Sequence, residues 1–317
     1  MARWYLIFIY GAACTLGACL LSACVELPDF ESGSIVKGPR VLAVVAEPPE
    51  IAPGEALELS ILVAGVEDRS SMQITWRACG SFDGFFGGGE QYGEEQADEG
   101  CGGGLSFDLG EGETAQLPAA LTADLFDNLE VIAMSLGTDL PEGIVEQIRS
   151  SVGIAFLVEA TVRADGKLIR ATKRVLISES PTPHTNPPAP QLTLGDQAIV
   201  TAGDDALRCV RSDAEPATLA PDIDVQLAPV TDEANEEPWL ETYDVINARG
   251  ELRERTERAF YSWYTTAGEL QRDITKSPLR NNVWHTPREP GDYPLWVIVR
   301  DGHGGTSACE LSITIQE

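Results

Sequence analysis

The chain has 317 residues, carries 50 Asp and Glu against 22 Lys and Arg, and has a formal charge of -28. Binding to nucleic acid is driven by Lys and Arg that displace counterions from phosphates, so this balance excludes a nucleic-acid partner. It also opposes adsorption to anionic head groups unless divalent cations bridge the two surfaces. The length suits two domains.

The N-terminus is the most informative stretch. Arg3 precedes an apolar run from Trp4 to Leu21, and Leu21-Ser22-Ala23-Cys24 sets small residues ahead of a cysteine. This is the layout of a secretory signal cleaved before a lipidated Cys. Residues 1–23 are therefore predicted to be removed and Cys24 to become the lipidated N-terminus. The competing reading is an uncleaved signal anchor, because a bilayer is spanned by about 20 apolar residues and this run is only slightly shorter. Leu16-Gly17-Ala18-Cys19 is a second processing site, but its use would leave Leu20-Leu21 and a spare Cys24 at the mature end.

The four positions Leu21 to Cys24 resemble the lipobox of bacterial lipoproteins. In that family an Asp directly after the Cys favours inner-membrane retention. Val25 stands there instead, which implies the outer membrane and leaves the periplasmic or surface face open. Acyl burial contributes about 0.8 kcal/mol per CH₂, so several chains hold a soluble body without a spanning segment. Residues 24–38, with Pro28, Gly33 and Gly38, read as a flexible lipidated tether.

Four cysteines remain in the exported part, Cys79, Cys101, Cys209 and Cys309. An even set in an oxidising compartment predicts disulfides. Three pairings are open. Cys79 with Cys101 and Cys209 with Cys309 is preferred, because each pair then lies inside one domain; closing the loops would contribute about 3 and about 4 to 5 kcal/mol in the chain-entropy model. No CxxC or Cys-His spacing of the zinc type occurs, so no metal site and no cofactor are expected.

From Arg40 onward, apolar runs rich in Val, Ile and Leu alternate with Pro and Gly turns. Strands are predicted at Val41–Ala46, Leu57–Ala64 and Gln73–Ala78. Leu57, Leu59, Ile61 and Val63 recur with a period of two, which marks a half-buried strand. Thr122 and Pro141 open two short helices, 121–129 and 141–151, inserted at the rim of a sandwich. Strands return at Gly153–Ala164 and Lys167–Ser178 around an Asp165-Gly166 hairpin turn. The first domain spans residues 39–180.

Residues 181–190 hold five prolines and predict a semi-rigid polyproline spacer of about 3.1 Å per residue. The second domain, 191–317, has strand candidates at 191–201, 206–211, 260–265, 293–300 and 307–315, with Val299–Gly305 joining the last two. Arg40–Ala43 running into the Ala46–Glu55 turn, Trp76 with Cys79 and the later Tyr261–Tyr264 strand, and the Gly291–Gly305 hairpin resemble bacterial Ig-like and PKD-like modules on lipoproteins. That resemblance implies a mainly β chain of two tandem Ig-like β-sandwiches, with buried Trp strands.

Residues 81–113 hold nine Asp or Glu and no Lys or Arg, with Phe82, Phe85, Phe86 and Tyr92 between them. Such a block is either a solvated loop or a partner-reading loop with aromatic anchors. Asp213, Glu215, Asp222, Asp224, Asp232, Glu233, Glu236, Glu237 and Glu241 form a second acidic block. It could supply oxygens to Ca²⁺ but lacks the twelve-residue calcium loop. Arg249–Arg258 alternates sign as an ordinary solvated face. His184 lies in the linker, His285 and His303 lie near turns, and no nucleophile, Walker, His-Glu-x-x-His or dinucleotide motif accompanies them.

The function expected is therefore non-enzymatic: an envelope lipoprotein that binds or holds an envelope protein or a glycan. The alternative is a surface accessory protein for carbohydrate binding or degradation, which an exposed aromatic platform would favour.

Overall fold

The structure is a computed structural model that describes residues 33–79, 106–128, 143–199, 217–230, 237–246 and 251–317. Cys24, Cys101, Cys209, the expected strand at 206–211 and most of the first acidic block lie outside these residues.

The first half stacks two sheets. One contains β1 (Arg40–Glu47), β3 (Leu57–Ala64) and β6 (Thr114–Leu117) in the order β1-β3-β6. The other contains β2 (Glu50–Ile51), β8 (Lys167–Ile177), β7 (Ile154–Ala164), β4 (Gln73–Cys79) and β5 (Ser106–Glu111) in the order β2-β8-β7-β4-β5. β4 alternates up to Ala78, with Ile74, Trp76 and Ala78 inward in one core with Val158, Ala160 and Leu59. Trp76 is fully buried because its indole N–H finds the Gly112 carbonyl at 2.8 Å. Asp165 and Gly166 both take positive φ, 47° and 74°, so β7 and β8 are joined by the two-residue turn that their sequence demands.

The second half stacks two five-stranded sheets. The first runs β10 (Gln197–Ile199), β9 (Leu192–Leu194), β12 (Asp224–Pro229), β18 (Asn282–His285), β16 (Glu269–Leu270). The second runs β11 (Ala217–Leu219), β20 (Thr306–Ile315), β19 (Gly291–Arg300), β15 (Phe260–Thr265), β17 (Ile274–Lys276). Trp263 and Trp284 fill the space between them, with indole donors to Thr275 Oγ1 at 2.8 Å and the Ala267 carbonyl at 3.1 Å. A separate ribbon pairs β13 (Thr242–Ile246) with β14 (Leu252–Thr256).

Several expectations need correction. Where one strand is expected over 191–201, residues 192–199 form a hairpin, β9 and β10, turned at Gly195 with φ 56°. Residues 119–121 form one 3₁₀ turn and 122–128 further turns in place of the first helix; Thr122 is fully buried and its hydroxyl accepts from the Gly54 N–H. The second helix is shorter than expected, Ile144–Gln147 running into a π turn over Ile148–Val152. β5 and β6 lie within or beside the stretch read as an acidic loop. An edge strand pairs through its backbone, so β5 needs no apolar alternation and keeps its side chains largely outward.

β1 and β3 are buried on both faces rather than one. Val44 and Ala46 face the first core, while Leu42, Ala43 and Val45 join Leu62, Ala64 and Val36 against Trp296, Ile298 and Ala308 of the second half. This third apolar cluster is a seam between the two sheet stacks.

Two segments read as spacers run along that seam. Ser34 and Val36 bond the backbone of Thr265, and Ile35 bridges the same residue in parallel, so the end of the predicted tether is already part of the body. In the Pro-rich segment, Asn186 Nδ2 donates to the Ala46 carbonyl at 2.8 Å and to Glu47 Oε2 at 2.7 Å. Its Oδ1 accepts from the Thr306 N–H, and Ser307 Oγ donates to the Pro188 carbonyl. Proline removes backbone donors but leaves every carbonyl free, so this stretch lies against both halves instead of holding them apart.

Candidate functional site

Beside the apolar seam lies its polar counterpart, centred on His184. The extended backbone of the Pro-rich segment presents the His184 N–H to Glu50 Oε2 at 2.7 Å. Glu50, on β2, is almost wholly buried, and its other oxygen accepts from Ser178 Oγ. Glu241 and Glu257 sit at the open end of the β13–β14 ribbon, where the Glu257 N–H bonds the Glu241 carbonyl and the Glu241 N–H bonds Glu257 Oε2. The ribbon therefore fixes both carboxylates without using all their oxygens.

His184 Nδ1 is 2.8 Å from Glu241 Oε2 and 3.5 Å from Glu257 Oε1, while its Nε2 faces Glu50 Oε2 at 3.8 Å. Glu241 Oε1 is held by the Thr185 hydroxyl at 2.7 Å. Glu257 is 4% exposed, and its Oε1 is buried without a hydrogen-bond partner. One imidazole thus faces three carboxylates in a site sheltered from water. Burial alone would lower the His184 pKa, but the facing carboxylates of Glu257, Glu50 and Glu241 outweigh it and raise the ring above its ordinary 6.5.

An aromatic and charged rim adjoins the cluster. His303 stacks on Tyr243 with ring centroids 3.6 Å apart and meets the edge of His184 at 4.2 Å. His303 sits in the β19–β20 turn, where Asp301 Oδ1 accepts the backbone N–H groups of His303, Gly304 and Gly305. Burial, the neighbouring His184 and Arg174 push His303 down to about 3. Burial pushes Asp301 up to about 6, against the pull of those backbone donors. Lys173, on β8, reaches across to the Gly304 carbonyl and Thr306 Oγ1, and burial lowers it to about 8 despite the Asp301 charge.

His184 is hydrogen-bonded to a carboxylate rather than to a hydroxyl or thiol, so it does not form a nucleophile–base pair. An N,O,O donor set around one point is instead suited to hold charge.

The other residues singled out from sequence are dispersed. Cys79 ends β4 and Cys309 lies in β20, both buried; Cys101 and Cys209 lie outside the described residues, as does the lipidation site Cys24. The second acidic block does not converge among its described members. Asp222 and Asp224 flank exposed His285 with Arg288, Glu237 is buried against Arg280 at 3.1 Å and the Tyr261 hydroxyl at 3.1 Å, and Glu241 is at the seam. Glu237 and burial together raise the Tyr261 pKa, burial being the larger cause.

Sequence reasoning passed over Glu50, Glu257 and Tyr243 and left His184 and His303 unassigned. Glu257 sits at the end of a run that alternates sign as a solvated face, and β14 within it is fully exposed; nothing in that pattern separates Glu257 from its neighbours.

No known protein-family profile matches the chain, and no curated protein matches it. Solved structures that resemble it include the three N-terminal domains of the highly immunogenic outer capsid protein Hoc of bacteriophage RB49, 12% identical over 88% of this chain, with a TM-score of 0.19. The chain spans 59% of that structure's length. The two tandem V-type regions of VCBP3, a v-region-containing chitin binding protein, are 12% identical over 88% of this chain and all of theirs, with a TM-score of 0.27. SGBP-B of the Bacteroides ovatus mixed-linkage glucan utilization locus, solved with a mixed-linkage heptasaccharide, is 8% identical over 88% of this chain and 70% of its own, with a TM-score of 0.20. None of these values assigns the chain to a family.

Proposed function

We propose that this chain is a non-enzymatic lipoprotein of the cell envelope, anchored in the outer membrane through acylated Cys24 and serving as a rigid module that binds or holds an envelope partner. The observation that carries the proposal is the shared seam. Leu42, Val45 and Leu62 of one sheet stack close on Trp296 and Ile298 of the other, each 5% exposed or less. Two sandwiches that share an apolar core keep one mutual orientation, whereas hinged domains meet through smaller and more polar contacts. A fixed body on a lipid presents its loops at a constant distance and angle, which is what a holding role needs.

The disulfides Cys79–Cys101 and Cys209–Cys309 belong to the same proposal. Each described partner is buried, at 2% and 0% exposure, and they sit in different sheet stacks, so each bridge would be anchored in its own stack.

Membrane fractionation with labelled palmitate, followed by crosslinking in intact cells, tests this reading. The expected result is label on the wild type, transfer of Cys24→Ala to the soluble fraction, and one abundant envelope partner that the variant loses. Membrane retention and an unchanged crosslink in Cys24→Ala would overturn it.

A further inference from the structure

We propose that His184 Nδ1, Glu241 and Glu257 bind one divalent transition-metal cation of the zinc class, with Glu50 orienting the imidazole from behind. The three donor atoms all lie within 4.8 Å of one another. At metal–ligand distances of about 2.1 Å, tetrahedral donors are separated by about 3.4 Å. The observed 2.8 Å and 3.5 Å from Nδ1 to the two carboxylate oxygens bracket that spacing.

Glu257 Oε1 is the observation that points to a ligand. It is buried, aimed at Nδ1, and without a hydrogen-bond partner, because the single Nδ1 proton is directed to the nearer Glu241. A buried carboxylate oxygen left in that state costs free energy unless charge is supplied to it. A cation in place of the Nδ1 proton satisfies both glutamates together, and that proton leaves to solvent.

The far side of the ring completes the arrangement. Zinc-bound histidines commonly turn their second N–H to a carboxylate, which fixes the ring and raises its basicity. His184 Nε2 faces Glu50 Oε2 in that sense, and Glu50 is in turn fixed by Ser178 Oγ and the His184 backbone N–H. Imidazole among the donors selects zinc-type cations over Ca²⁺, which takes oxygen ligands at six to eight positions. The side chain of Glu241 is 31% exposed, so the ion can reach the site from the ribbon side. Bound there, it would clamp the end of the β13–β14 ribbon to the Pro-rich segment, and through Glu50 to the first sheet stack.

The ligands come from residues 184, 241 and 257, on three separate pieces of chain. That is why no motif spacing announced them.

The test uses the full mature chain, stripped with a chelator and titrated with ZnCl₂ by calorimetry, with parallel MnCl₂ and CaCl₂ titrations and thermal melts. One equivalent of Zn²⁺ should bind, and the thermal midpoint should rise by about 5 °C at a hundredfold excess over Kd. Glu257→Gln should remove both effects while melting normally without metal, because it removes a buried charge and its amide oxygen can still accept the Glu241 N–H. Glu50→Gln should weaken binding by about 10-fold or more, and Asp222→Asn, at the exposed His285 cluster, should leave it unchanged. The proposal fails if Zn²⁺ does not bind, if Glu257→Gln binds as well as wild type, or if Asp222→Asn is the variant that loses the ion.

Discussion

The junction between the two sheet stacks is built twice, once in hydrocarbon and once in charge. In the apolar patch, Trp296, Ile298, Leu42 and Leu62 fit together as any core does, and every carbon removed from water contributes. In the polar patch, Glu50, Glu257, Asp301 and Lys173 are buried to a similar degree, yet burial there is a cost that only partners offset. The first patch supplies adhesion through close packing, which already favours one orientation. The second is satisfied in one geometry, since Lys173 must meet a carbonyl and a hydroxyl of the other stack while Glu50 meets the His184 N–H. Adhesion and register are therefore divided between neighbouring patches.

The sharpest way to break this comparison is Trp296→Ala. Removing a large side chain, 4% exposed, at the centre of the apolar seam leaves a cavity between two sheets that cannot both collapse on it. The expected loss is about 3–5 kcal/mol, read as a fall of roughly 6–15 °C in Tm. The melt should also broaden or split, because the halves lose their shared core before they lose their own. A single sharp transition within about 2 °C of wild type would mean that the polar patch alone couples the stacks.

The difference between the patches also explains what could be read from the sequence. The longer strands β1, β3, β4, β7, β8, β15, β19 and β20 were legible because their apolar runs are written locally, as in Ile74-Trp76-Ala78 and in the Asp165-Gly166 turn, whereas β5, β6, β11–β14 and β16–β18, short or polar, were not. The apolar seam was half legible. Leu62 and Val45 break strict alternation on β3 and β1, and a strand apolar on both faces is a strand with two partners, although its sequence does not say which. The polar patch was illegible for a physical reason. Its residues belong to a linker, a two-residue strand, the ends of a ribbon and a turn, and they meet only after the stacks have docked. A histidine among prolines and a glutamate among alternating charges carry no periodicity to reveal burial.

A second prediction concerns Lys173, the cation that the polar patch buries. Its folded-state pKa of about 8 lies below the ordinary 10.5 because burial disfavours the ammonium. Between those two values the unfolded chain holds more protons than the folded one, so stability contributed at this site rises with pH across that window. Below pH 8 both states are charged and the cost of burial is constant. The measurable quantity is the unfolding free energy of wild type minus that of Lys173→Met, which removes the group that titrates. This difference should climb by up to about 3 kcal/mol between pH 7.5 and 10.5. A flat difference would show that Lys173 is solvated and that the patch is not the dry counterpart of the apolar seam.

The smallest effect is expected where neither kind of seam is present. The β13–β14 ribbon carries Arg253 and Glu251, 3.3 Å apart with side chains 64% and 53% exposed, on a strand whose five residues all face water. An ion pair so exposed is screened, and holding two long side chains in one geometry costs rotamer entropy. Arg253→Ala should therefore change stability by no more than about 0.5 kcal/mol, with no dependence on salt beyond the scatter of a denaturant melt. Glu257 lies one residue beyond β14 and is buried in the junction, so within four positions the chain passes from a site where charge is solvated to one where it must be matched. A loss above about 1 kcal/mol on removing Arg253 would mean that the ribbon is braced along its whole length. The register of the junction would then rest on the strands as well as on the carboxylates at their end.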